Sequence, residues 1–109
     1  MINLINCTPH SITVTDMNGL ETTFQPSGMV ARVEMNTQTV GNVDGFELTK
    51  NVVGSVTGIP NEIEENTFYI VSAMVLANSN RTDLVAPDTN RAVRNDRGHI
   101  VSVPGFVIN

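Results

Sequence analysis

The stretch Thr67-Phe68-Tyr69-Ile70-Val71-Ser72-Ala73-Met74-Val75-Leu76-Ala77-Asn78-Ser79-Asn80 changes character at its midpoint, and that change decides the fold class. Thr67 to Val71 is β-branched and aromatic, the composition of a strand in the middle of a sheet. From Ser72 onward, Ala73, Met74, Leu76 and Ala77 favour helix, and Val75 is the only β-branched residue among them. Ser72 stands where an N-cap is needed, and Asn78-Ser79-Asn80 ends the run. One short helix is therefore expected directly after a buried strand, and no other helix is expected anywhere in the chain.

Toward the N-terminus the chain reads as β. Ile2 to Ile5 forms a short strand, stopped by Asn6 and Pro9. Ser11 to Thr15 alternates polar and apolar with period two. Asn18-Gly19 then gives a strong hairpin signal, and Glu21 to Phe24 returns antiparallel. Pro26-Ser27-Gly28 is a turn. Val30 to Met35 alternates again, with Ala31, Val33 and Met35 on one face. Thr39-Val40, Phe46 to Thr49 and Val52 to Val56 are further strand candidates, with Asp44-Gly45 as a turn among them. Glu62, Glu64 and Glu65 read as a solvated loop. Toward the C-terminus, Asp83 to Pro104 is loop-rich. Within it, Asp96-Arg97-Gly98 is a hairpin turn and Ile100 to Val103 the strand after it. Phe106-Val107-Ile108 is an apolar tail. The expectation is an α+β fold, mainly antiparallel sheet with one short helix and a loop-rich C-terminal third, forming a single domain over residues 1–109.

The 109 residues are 40% hydrophobic and bound one modest core. No apolar run reaches the length of a bilayer-spanning helix, and Met1-Ile2-Asn3-Leu4-Ile5 lacks the basic start and long apolar stretch of a signal peptide. With Cys7 as the only cysteine, no intrachain disulfide and no cysteine-based zinc site can form. These features fit a reducing, cytoplasmic setting. A net charge of −5 argues against DNA or RNA as partner. The charge is uneven: residues 1–80 carry two cations against eight acids, residues 81–109 four against three. The four cations are Arg81, Arg91, Arg94 and Arg97, and arginine offers a planar fork of donors to phosphate or carboxylate. Equally, they can be solvated loop arginines.

Catalytic patterns are sparse. No H-E-x-x-H, Walker loop or G-x-S-x-G is present, and neither a metal nor a cofactor is expected. Cys7 near His10 reads better as a small buried hydrophobe than as a nucleophile. His10-Ser11-Ile12-Thr13 and His99-Ile100-Val101-Ser102 are similar to the paired motifs of two-histidine phosphoesterases. Those motifs place the hydroxyl two residues after the histidine, on the same face of a strand. Here it is three residues on, which on a strand is the opposite face.

Several segments, in order, resemble a known family. They are Ile5-Asn6-Cys7-Thr8-Pro9-His10, Pro26-Ser27-Gly28 before Arg32-Val33, Gly58-Ile59-Pro60, Phe68-Tyr69-Ile70-Val71-Ser72, Arg81-Thr82-Asp83-Leu84-Val85-Ala86-Pro87-Asp88, and Val93-Arg94-Asn95-Asp96-Arg97-Gly98-His99-Ile100. Together they resemble the first Thoeris anti-defence sponge family of small phage proteins, across nearly the whole chain. The resemblance implies an α+β fold and assembly as homodimers that can associate further. It implies sequestration, without cleavage, of cyclic ADP-ribose-type immune signals such as glycocyclic ADP-ribose, or of cyclic oligonucleotides, in the host bacterial cytoplasm. Phe68 and Asn78 match the family's ligand positions best, and an arginine in the Arg91–Arg97 segment, Arg94 foremost, is expected to join them. Arg91, Arg97, Pro9, His10 and His99 complete the candidate set. The chemistry fits such a ligand. Arginine suits a pyrophosphate, an aromatic face stacks on a purine, and an amide bonds a base edge. Each residue also has a plainer role: Phe68 as core, Asn78 as a helix C-terminal residue, Thr8-Pro9-His10 as a turn. The competing functions are a phosphoesterase acting on the same signal and a protein-interaction module.

Overall fold

The computed structural model describes residues 2–109; Met1, the first residue of the segment read against a signal peptide, lies outside the described residues. The centre is a four-stranded sheet of β1 (Asn3–Asn6), β6 (Thr67–Ile70), β7 (Leu84–Pro87) and β10 (Phe106–Val107), in that order. β6 is central, as its composition predicted, and Thr67, Tyr69 and Ile70 on it are buried. β1 and β7 both run parallel to β6, and β10 is antiparallel to β7. Strands in parallel pairing are covered on both faces, which is why β6 and β7 are nearly continuous apolar runs rather than alternating ones.

The remaining pairs are antiparallel. β2 (Ile12–Thr15) and β3 (Glu21–Phe24) form the hairpin announced by Asn18-Gly19. Its turn is held by the Asp16 carboxylate, which accepts from the backbone N–H of Asn18 and Leu20 at 2.8 and 3.0 Å. β8 (Val93–Arg94) pairs with β9 (Ile100–Ser102), and Val103 bridges β9 to β2. β4 (Arg32–Val43) pairs with β5 (Phe46–Thr57) in a ribbon of twelve residues a strand, with two register shifts. The α+β architecture, mainly antiparallel with one short helix, matches the sequence reading.

Three expectations change in detail. The strand fragments at Val30–Met35, Thr39-Val40, Phe46–Thr49 and Val52–Val56 merge into the β4–β5 ribbon around Asp44-Gly45. Asn6 belongs to β1 rather than stopping it. The loop-rich C-terminal third contains β7, a strand whose Leu84, Val85 and Ala86 are all buried. α1 (Ala73–Ala77) lies where expected, with the Ser72 hydroxyl accepting from Val75 N at 3.3 Å and Asn78 as C-cap. Its Val75 and Leu76 enter a core with Cys7, Ala31, Ile59, Tyr69, Val71, Leu84 and Ala86.

Candidate functional site

A cleft opens where the β1–β2 loop, the start of α1 and β9 meet. It encloses about 760 Å³ and is lined by Thr8, Pro9, His10, Ser11, Ile12 and Thr13 on one side. Val71, Ser72 and Ala73 form another wall, with Pro87, Thr89 and residues Ile100 to Val103. Its chemistry is apolar surface interspersed with hydroxyls, six of them from Ser and Thr, and one imidazole. A second hollow adjoins it through Ser102 and Val103, which line both. The second hollow brings a cation, Arg91, and an acid, Asp16, together with Thr15, Met17, Val93 and Pro104.

The loop that forms the first wall is shaped by one buried side chain. Asn6 is 2% exposed, and its amide nitrogen donates to the carbonyls of His10 and Phe24 at 2.8 and 2.9 Å. Its amide oxygen accepts from Thr8 N and Thr8 Oγ1 at 2.9 and 2.7 Å. All four capacities of the amide are therefore used. They bend the chain so that Thr8, Pro9 and His10 face the cleft. Asn6 is the residue that sequence reasoning missed here. Its only signal is an Asn directly before Cys-Thr-Pro, where a polar side chain can organise a turn.

Pro9 and His10 thus line the cleft. His99 lies on the exposed turn between β8 and β9, where its backbone N–H donates to Asn95 Oδ1 at 3.1 Å, and its neighbour Ile100 reaches the cleft. The objection to the first His-x-x-hydroxyl tetrad loses force. His10 precedes β2, so strand alternation does not govern it, and His10 and Thr13 both line the cleft, as does Ser102.

The four arginines are spread over separate partners. Arg81 is a structural residue: Nε and Nη2 grip the Asp83 carboxylate at 2.9 and 2.7 Å, Nη1 donates to the Pro60 carbonyl at 2.7 Å, and the guanidinium sits 5.9 Å from the Tyr69 ring centre. These bonds to Asp83 hold its pKa above the ordinary arginine value. Arg91, on a 3-10 turn at Thr89–Arg91, donates through Nε to Asp88 Oδ2 at 2.8 Å. That bond holds the guanidinium of an otherwise exposed side chain. Arg94 donates across its hairpin to Gly98 O at 2.8 Å, and Arg97 is exposed in the turn. Neither lines the cleft. Phe68 is half-buried on β6 beside Leu4 of β1, and Asn78 donates to Met74 O at 2.8 Å. Asn78 serves the helix-end role, Phe68 lies outside the core cluster, and neither lines the cleft.

Cys7 is buried in the core, where loss of solvent raises its thiol above the ordinary value and a bond from the Ser27 side chain pulls the other way. That is the opposite of an activated nucleophile. Among the described residues no group of three or more His, Cys, Asp and Glu side chains is placed to hold a metal ion, and no helix is long and apolar enough to cross a membrane. No protein-family model, no curated protein and no solved structure matches this chain.

Proposed function

We propose that this chain binds and sequesters a compact, anionic, purine-containing nucleotide of the cyclic ADP-ribose type, without cleaving it. The observation that carries the reading is the cleft beside Arg91. Its volume of about 760 Å³ falls in the range of about 300–1,000 Å³ typical of small-molecule pockets. Apolar wall from Ile12, Val71 and Val103 suits a purine face, and the Ser and Thr hydroxyls suit ribose hydroxyls. Arg91, in the hollow that shares Ser102 and Val103 with the cleft, carries a guanidinium suited to a pyrophosphate through charge-assisted bonds. The ordered resemblance to the phage anti-defence sponges supports the same ligand class. On this reading the contacts come from Pro9, His10 and Arg91, with Phe68 and Asn78 supporting from the scaffold.

A sponge acts by mass action, so it must bind more tightly than the immune effector or outnumber it. A second reading, hydrolysis of the same ligand, draws on the presence of His10, Thr13 and Ser102 in one cleft. One experiment separates the two. The protein is incubated with a cyclic ADP-ribose nucleotide and denatured by heat, and the released small molecule is analysed by mass spectrometry. Intact nucleotide supports sequestration. A linear or hydrolysed product overturns it in favour of catalysis.

A further inference from the structure

We propose that the Asp44-Gly45 turn at the tip of the β4–β5 ribbon is a site of covalent self-modification, at which Asp44 isomerises to isoaspartate through a cyclic imide. The inference does not rest on the nucleotide reading. Two places in the chain put an Asn or Asp directly before glycine: Asn18-Gly19 and Asp44-Gly45. At such a pair the glycine nitrogen can attack the preceding side chain, because glycine has no side chain in the way and a freely turning backbone. Both pairs are exposed hairpin turns. The structure restrains one and leaves the other free.

At Asn18-Gly19 the attacking nitrogen is engaged. Gly19 N donates to Asp16 O at 3.0 Å, and Asp16 Oδ1 holds the N–H groups of Asn18 and Leu20. The hairpin carrying this turn is tied to the body: Thr15 N donates to Val103 O at 2.9 Å and Val103 N to Thr13 O at 3.0 Å. Asp44-Gly45 has no such restraint. Among the described residues the Asp44 carboxylate makes no hydrogen bond or ion pair, and Gly45 N has no acceptor. Val43 opposite Phe46 leaves a two-residue turn, with φ of +50° at Asp44 and +81° at Gly45, the left-handed pair that a type I′ turn requires. Residues 34 to 53 are all exposed, and of the ribbon only Val33 and Val56, at its base, pack against the core. A two-stranded ribbon without further cover is marginal in water, so its tip opens at little cost in free energy.

The reaction needs only water. Gly45 N attacks Cγ of the protonated Asp44 carboxyl. The N–Cγ bond forms and the Cγ–OH bond breaks, and the hydroxyl leaves with the Gly45 N–H proton as one water molecule. Water then adds to one of the two carbonyl carbons of the five-membered imide and reopens it. Addition at Cγ breaks the N–Cγ bond and restores aspartate. Addition at the Asp44 main-chain carbonyl breaks its bond to Gly45 N, and the chain now runs through Cβ and Cγ, with the carboxylate on Cα. Mass and charge are unchanged, but the main chain is one atom longer. A type I′ turn matches the twist of its strands with two ordinary residues, so the longer turn no longer closes Val43 on Phe46, and the ribbon frays from its tip.

The test compares the folded wild-type chain with two synthetic peptides, residues 13–23 and 39–49, which carry the same turns without the fold. All three are incubated together at neutral pH. Isoaspartate at Asp44 is followed by electron-transfer fragmentation in a mass spectrometer, which distinguishes a main chain running through Cβ. Conversion of Asn18, by the same ring closure with ammonia leaving in place of water, is followed alongside it. Each site is read as its rate in the protein relative to its own peptide, which removes the intrinsic difference between Asn and Asp. The expected result is an Asp44 rate within about threefold of the peptide, with Asn18 slowed about tenfold or more by the fold. An Asp44 that the fold slows about tenfold overturns the proposal. So does the same ratio at both turns, because the restraint seen at Asn18 and missing at Asp44 would then have no effect.

Discussion

Asn6 holds the wall of the cleft through four hydrogen bonds from one buried amide. Asn6→Asp replaces the donating nitrogen by an oxygen facing the carbonyls of His10 and Phe24. Two bonds become two repulsions in a buried place, a cost of roughly 3 kcal/mol. Thermal denaturation should show a fall in Tm of the order of 10 °C, with nucleotide affinity lost in parallel. A variant as stable as wild type would remove Asn6 from its role. Two other buried groups set the response to alkali. Burial raises Cys7 above its ordinary 9.0. Tyr69 is raised above 10.0, first by burial and then by Glu64 and Asp83, against the pull of Arg81. Both stay protonated in the folded state to higher pH than in the unfolded chain. Their stabilisation is therefore complete at neutral pH and is lost as pH rises through the two ordinary values and toward the raised ones. Urea unfolding from neutral pH to about pH 11 should show declining stability. Cys7→Ala should remove the earlier part of the decline.

Gly58 closes the ribbon onto the body and belongs to the scale of elements. Its φ is +91°, and a Cβ there would stand 2.0 Å from the Val30 carbonyl oxygen. Gly58→Ala meets both a left-handed backbone and a collision with backbone that cannot move aside. It should cost more than about 2 kcal/mol, measured by urea unfolding. A Gly58→Ala chain of normal stability would show that the ribbon base is not fixed as described. The same element explains what could and could not be read from sequence. Thr67–Val71 and Ser72–Ala77 were legible because propensity, cap and burial all agree there. The ribbon dissolved into fragments because residues 34 to 53 face no core, so no apolar alternation marks them. β7 was hidden because Asp83, Pro87 and Asp88 read as loop, whereas Asp83 is neutralised by Arg81 and Pro87 ends the strand. Parallel pairing of β1 with β6 was not legible either, because it joins residues more than sixty positions apart.

At the scale of the whole molecule, an elongated acidic chain carries a cleft of ligand size and an adjoining hollow that holds Arg91. The sequence contained the parts of that cleft but not their meeting. Thr8-Pro9-His10 and Ile100–Val103 lie some ninety residues apart and are joined by the bridge from Val103 to Val14 of β2. The arginine cluster, conspicuous as composition, divides into Arg81 as a structural clamp, Arg91 beside the cleft, and Arg94 and Arg97 on a hairpin. The central claim is that this cleft and Arg91 together hold a cyclic ADP-ribose-type nucleotide. The most direct test is a thermal-shift and calorimetric titration of the full chain with that nucleotide, on wild type and Arg91→Ala. At ligand concentrations about a hundredfold above Kd, the account predicts stabilisation of about 2.7 kcal/mol, a Tm rise of the order of 10 °C. It also predicts affinity weakened about tenfold by Arg91→Ala. A wild-type chain with no binding heat and no Tm shift, or an Arg91→Ala chain that binds as wild type does, would contradict it.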